Sequence, residues 1–140
     1  IPITYVPARN IIFLSYAISY AESNNINDIF IGVNIIDYSG YPDCRPEFIE
    51  NFEKAVNLGT AISLKKPFKI HTPLIRLSKD EIIALGLNLG VDYSNAHSCY
   101  DPIFENGVCY ACGICDSCIL RLEGFSKNNS SDPYLYYERI

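Results

Sequence analysis

The chemistry of this 140-residue chain concentrates in its thiols: five of its six cysteines fall between Cys99 and Cys118. Cys109, Cys112, Cys115 and Cys118 follow one another with two residues between each, and Cys99 stands ten positions upstream. That spacing lets neighbouring thiolates bite one ion, and Gly113 permits a tight turn between ligands. Zinc in thiolate coordination takes four such groups in a closed tetrahedron. A disulfide framework fits poorly, because no signal segment is visible and cysteines two residues apart more often bind metal. Similar runs occur in iron–sulfur ferredoxins, and a single C-x-x-C in dithiol redox proteins. Structural zinc is the favoured reading, with those two as alternatives. Five thiols compete for four places, and spacing alone leaves open which one is spare.

Three further polar motifs could bind a ligand. Arg9 and Asn10 lie at a strand-to-helix turn, where free amides suit an anion and a guanidinium can grip phosphate in a bidentate way. The simpler reading makes Asn10 a helix cap and Arg9 a solvated side chain. The loop Asp37-Tyr38-Ser39-Gly40-Tyr41-Pro42-Asp43-Cys44-Arg45 holds two carboxylates, a guanidinium, a hydroxyl and two phenols. Its tyrosines could stack on a flat heterocycle while Asp accepts hydrogen bonds from ring N–H groups. A turn stabilised by Asp and Gly, with Asp43 near a helix start, is the alternative. Lys79 falls in the first turn of a helix, where the dipole disfavours a cation unless an anion faces it. His71 and His97 read as structural, and Cys44 as a small buried residue.

The elements that must position these groups alternate. Ile3–Val6 reads as a strand stopped by Pro7, followed by a helix over 11–23 that is apolar on most of its surface. Ile29–Val33 is a continuous apolar run of the kind covered on both faces of a sheet. Pro46 opens a helix to about Ala61, Phe68–His71 is a third strand, and Ser78 with Glu81 forms a capping box for a helix ending near Gly90. The metal loop follows, then a helix from about Asp116 to Phe125 and a loose polar tail over 127–132. Strand–helix alternation predicts an α/β fold, a parallel sheet with flanking helices in a single domain, and residues 99–118 form its metal-binding subregion. Ligands in such a fold bind beyond the carboxyl ends of the strands, and the three polar segments that follow the strands, over 7–10, 34–45 and 72–79, would share one rim.

Nearly half of the residues are apolar and the net charge is −5, so the chain folds around a core and is a poor nonspecific nucleic-acid binder. Its longest apolar stretch, over 11–21, is too short to span a bilayer. The expected address is cytoplasmic.

Together these motifs resemble a known family. V-P-A-R-N after a strand, the loop D-Y-S-G-Y-P-D-C-R-P-E-F, and S-C-Y followed by C-G-I-C-D-S-C-I-L-R-L-E-G-F are similar to 7-cyano-7-deazaguanine synthases. The similarity covers about Tyr5 to Tyr136. Such enzymes belong to the PP-loop, or adenine-nucleotide α-hydrolase, superfamily. They are C–N ligases that use ATP, with Mg2+, to convert 7-carboxy-7-deazaguanine and ammonia to the nitrile that leads to queuosine in transfer RNA. The resemblance implies nucleotide contacts at Arg9 and Asn10, and deazaguanine contacts at Asp37, Ser39, Tyr41, Asp43 and Arg45. It implies a charge-stabilising role for Lys79, matching the lysine of an L-x-K-x-x-I motif. It assigns structural zinc to Cys99, Cys112, Cys115 and Cys118, leaving Cys109 as an extra thiol, and it suggests a homodimer.

One feature departs from the pattern. These enzymes cradle the ATP phosphates in an S-G-G-x-D-[ST] loop, and no such stretch occurs in these residues, which also lack methionine. The expectation is a carboxyl-terminal portion of a synthase, inactive by itself. It would be part of a longer chain, one half of a split enzyme, or the product of a decaying gene. The rival expectations are a non-catalytic zinc-binding module, or a piece of another PP-loop enzyme such as a transfer-RNA thiolase.

Overall fold

A computed structural model of the chain describes residues 4–35 and 40–137. By its internal contacts the chain divides into two compact units, Ile1–Arg76 and Leu77–Ile140, each with its own buried cluster. The class is mixed α/β with a small parallel sheet, as the alternation predicts.

In the first unit, helix α1 spans Arg9–Ser23, strand β1 Asp28–Phe30, helix α2 Pro46–Gly59 and strand β2 Lys69–His71. Strands β1 and β2 pair in parallel with Ile29 opposite Ile70. Leu14, Ile18, Val33, Ile49, Phe68 and Ile70 are the centre of the core. Phe68 is held by a side chain that imitates a strand: Asn57 accepts from its N–H at 2.7 Å and donates to its carbonyl at 3.0 Å. Pro46 opens α2 because its missing N–H would be unpaired there in any case.

Four expectations need correction here. Ile3 lies outside the described residues, and Thr4–Val6 is irregular; the Val6 carbonyl already accepts from Arg9 N in the turn that starts α1. Helix α1 begins two residues early, with Ala8 at the cap in the left-handed region at φ 55°, so Asn10 sits inside the helix. Apolar residues circle α1, yet only Asn10, Leu14, Ile18 and Ala21 are buried, while Phe13, Tyr16 and Tyr20 stay exposed. Similarly, β1 is covered on one face: Ile29 is buried and Phe30 exposed. A helix or strand buries only the stripe that neighbours reach, and pattern alone counts no neighbours.

The second unit packs helix α3, Lys79–Asn88, on helix α4, Asp116–Lys127. The capping box forms as read, with Glu81 Oε2 accepting from Ser78 N at 2.8 Å. Gly124 sets the closeness: a Cβ there would meet Ile83 Cδ1 at 2.7 Å. Between the helices an antiparallel hairpin of β3, Ile103–Glu105, and β4, Val108–Tyr110, turns at Asn106 and Gly107, both with positive φ. Asn-Gly is the preferred sequence for such a turn. Among the described residues no helix is long and apolar enough to cross a membrane.

Candidate functional site

The four thiols of Cys99, Cys112, Cys115 and Cys118 lie within 4.8 Å of one another. Each comes from a different local device. Cys99 arrives on an irregular segment, Gly113 turns the chain after Cys112 with φ 76°, Cys115 caps α4, and Cys118 is on the first turn of that helix. Backbone amides point at the sulfurs: Cys112 N and Asp101 N donate to Cys99 Sγ at 3.2 and 3.3 Å, and Cys115 N donates to Cys112 Sγ at 3.4 Å.

Burial pushes the Cys99 and Cys118 thiols up, and the neighbouring Cys115 raises Cys118 further. Burial acts on Cys115 in the same sense. Hydrogen bonds from the amides of Tyr100 and Cys118 and from neighbouring thiols outweigh it, bringing Cys115 down to about 7. A thiolate crowded by thiols that resist ionising is a pattern that a cation relieves. Sulfurs bound at about 2.3 Å to one tetrahedral ion stand roughly 3.8 Å apart, and Cys115 Sγ and Cys99 Sγ are separated by 4.0 Å. The donor set fits a metal ion. Cys109 stands outside it, in β4 opposite Phe104, with its sulfur accepting from the Tyr134 hydroxyl at 3.8 Å.

The tail over 127–132, expected to be loose, ends at Asp132, which is held firmly, and residues 134–137 beyond it form a wall of this site. Ala111 N donates to the Leu135 carbonyl at 2.8 Å, and Tyr137 N donates to the Ala111 carbonyl at 2.9 Å. Tyr134 and Tyr136 pack against the cysteine cluster. The Asp132 side chain is almost fully buried and pairs with Arg121, a residue of α4 that is 6% exposed. Arg121 also donates to the carbonyls of Ala96 and Tyr93 and lies 5.3 Å from the Tyr134 ring centre. The sequence signal for Arg121 is a cation inside the apolar run I-L-R-L, three residues after a metal-ligating position and hence on the same helix face. His97, read only as structural, bridges the Tyr134 hydroxyl and the Cys99 carbonyl, both at 2.8 Å.

In the first unit the loop after β1 is tied to its neighbours on both sides. Asn10 N donates to Asp43 Oδ2 at 2.9 Å, and Asn10 Nδ2 donates to the Asp43 carbonyl at 3.2 Å and towards Cys44 Sγ at 3.3 Å. Asp43 therefore acts at the start of α1, not of the helix that follows it in sequence. On the other side, Asn34 Nδ2 donates to the Leu74 carbonyl and Ile35 N to that of Ile75, each at 3.2 Å. The first two polar motifs and the Thr72–Ile75 part of the third are thus contiguous. Tyr41 is hydrogen-bonded to the Thr4 hydroxyl and is partly buried; Arg9 and Arg45 are exposed. Asp37 and Ser39 lie outside the described residues. At the carboxyl ends of β1 and β2 a hollow of about 480 Å³ is lined by Phe30, His71, Thr72 and Arg76, with Glu50 and Glu53 from α2. His71 stacks on Phe30 and bonds Asp28 at 2.8 Å. Lys79 belongs to the second unit, where it is half-buried and lines a 200 Å³ cavity with Ser98, Ser117 and Arg121.

A family model described as queuosine biosynthesis protein QueC matches residues 1–129. The chain is 61% identical over 137 residues to the 7-cyano-7-deazaguanine synthase of Citrifermentans bemidjiense, covering 97% of this chain and 60% of that protein. Synthases of the same name from Geobacter metallireducens and Magnetococcus marinus are 59% and 53% identical, again over 97% of this chain and 57% and 59% of theirs. The chain spans about three fifths of the length of the curated relatives it matches. Identity at this level, over a family match of nearly the same reach, means that the chain belongs to the QueC family of queuosine biosynthesis proteins.

Proposed function

We propose that the chain takes part in the ATP-dependent conversion of 7-carboxy-7-deazaguanine and ammonia to 7-cyano-7-deazaguanine. The observation that carries this reading is its 61% identity, across 97% of its length, to a protein named for that product. A carboxylate is a poor electrophile, so ATP first turns it into an activated ester that ammonia attacks. The resulting amide is activated again before it loses oxygen and becomes the nitrile. Positioning and neutralisation of phosphate charge supply most of such catalysis.

In this scheme Arg9 and Asn10 serve the nucleotide, and Lys79 steadies charge during activation, with Mg2+ accompanying ATP. Asp37, Ser39, Tyr41, Asp43 and Arg45 serve the deazaguanine. Asp43 acts through the loop that it anchors, since one of its carboxylate oxygens is already taken by Asn10. The four cysteines hold zinc, which when bound cross-links Cys99 to the start of α4 and leaves no open position for water. These 140 residues contain no S-G-G-x-D-[ST] stretch, so the activity is proposed for them together with such a loop, and not for them alone. The other participants proposed are small molecules and a second copy in a homodimer, in the cytoplasm, with no direct contact to nucleic acid or membrane.

A chimera tests this reading: these residues replace the matching segment of the Citrifermentans bemidjiense relative. The expected result is nitrile formed from the carboxylate, ATP and ammonia, detected by mass. A folded, zinc-loaded chimera that forms no nitrile, beside an active parent, would overturn the proposal.

A further inference from the structure

We infer that Arg121 and Asp132 form a latch that governs metal retention, by locking residues 132–137 as a strap across the four thiols. The inference rests on the metal-centre reading above. Both oxygens of the Asp132 carboxylate are used twice. Oδ2 accepts from Arg121 Nε at 2.6 Å and from the Tyr136 hydroxyl at 2.7 Å; Oδ1 accepts from Arg121 Nη2 at 2.8 Å and from Tyr134 N at 3.0 Å. One carboxylate therefore joins α4 to both strap tyrosines that pack on the thiols.

The strap in turn reaches the ligands through separate contacts. Cys99 is tied by its carbonyl through His97 to the Tyr134 hydroxyl. Cys112 follows Ala111, whose N–H and carbonyl are both paired with the strap. Cys118 shares a helix face with Arg121, one turn away. Three of the four ligands are thus fastened to the latch or to what it holds. A buried ion pair is weak evidence for net stability, because desolvation offsets most of its attraction. Its effect here is positional: partners one layer behind a metal ligand fix its orientation and limit access to the ion.

The test uses the full chain loaded with zinc and mixed with excess chelator, following zinc release with an indicator dye. Asp132→Asn keeps shape and loses the charge-assisted fork, and zinc should leave about 10- to 100-fold faster than in wild type. Ile83→Val, on α3 away from the strap, serves as the control for general loosening of the unit. If Asp132→Asn fails to fold, Tyr136→Phe removes a single strap hydrogen bond and should still speed release beyond Ile83→Val. Zinc bound by all variants but released no faster from Asp132→Asn or Tyr136→Phe than from Ile83→Val would overturn the latch alone. A wild-type chain that takes up no zinc would overturn the metal-centre reading and the latch together.

Discussion

Asn10 and Asp43, 33 positions apart, close on each other: the Asn10 N–H donates to Asp43 Oδ2 at 2.9 Å, and the Asn10 side-chain amide also donates to the Asp43 carbonyl at 3.2 Å. Ala8, the residue at the cap of α1, supplies no side-chain hydrogen bond there. A carboxylate from a distant loop does that work, and its charge faces the positive end of the helix. The start of α1 and the short helical turn Pro42–Cys44 are therefore joined side by side.

Asp43→Ala leaves the Asn10 N–H buried and unpaired, which costs about 1–3 kcal/mol. Asp43→Asn retains an acceptor and should cost less. Denaturant unfolding reads both, and an Asp43→Ala midpoint equal to wild type would show that the contact stabilises nothing.

Removing one thiol separates ligand from bystander. Cys112→Ser should bind less zinc and unfold earlier, whereas Cys109→Ser, outside the cluster, should match wild type in both. Metal content by mass spectrometry and a thermal melt check this. A brown preparation containing iron would favour a cluster over zinc.

Stability in acid should depend on Asp132. Burial raises its pKa, but hydrogen bonds from Arg121, Tyr136 and the Tyr134 amide outweigh that and hold the carboxyl below its ordinary value. The unfolded chain, with an aspartate near about 3.9, then binds more protons than the folded one as pH falls through this range. The pair's contribution is present above pH ~4 and is lost as pH drops through the folded value. The stability difference between wild type and Asp132→Asn should therefore shrink in acid. A difference unchanged from pH 7 to pH 3 would contradict this assignment.

Gly86→Ala should destabilise although alanine is the better helix former by about 1 kcal/mol. The new Cβ would fall 2.0 Å from the Tyr93 hydroxyl and 2.8 Å from its ring, so the ring must leave its hydrogen bond to the Ile82 carbonyl. Overpacking of this kind costs about 1–3 kcal/mol, enough to exceed the propensity gain. Thermal unfolding decides it: a Gly86→Ala variant at least as stable as wild type would mean that Tyr93 moves aside at no cost.

Much of the site was legible locally. The thiol spacing, Gly113, Pro46 at the head of α2 and the Ser78–Glu81 box each act within a few residues, so their types and spacing determined the ion-binding loop and two helix starts. The Asn106–Gly107 hairpin is equally local, an Asn-Gly turn between two short strands. Spacing left the spare thiol open; the family resemblance pointed to Cys109, which the fold holds in a strand outside the four. Tertiary structure alone decided the rest. The ordering of a polar tail depended on Asp132 meeting Arg121, and the cap of α1 came from Asp43 in another loop. Such pairings join residues distant in sequence, and local pattern carries no term for them; they exist only once the chain has brought the two ends together and excluded water from between them.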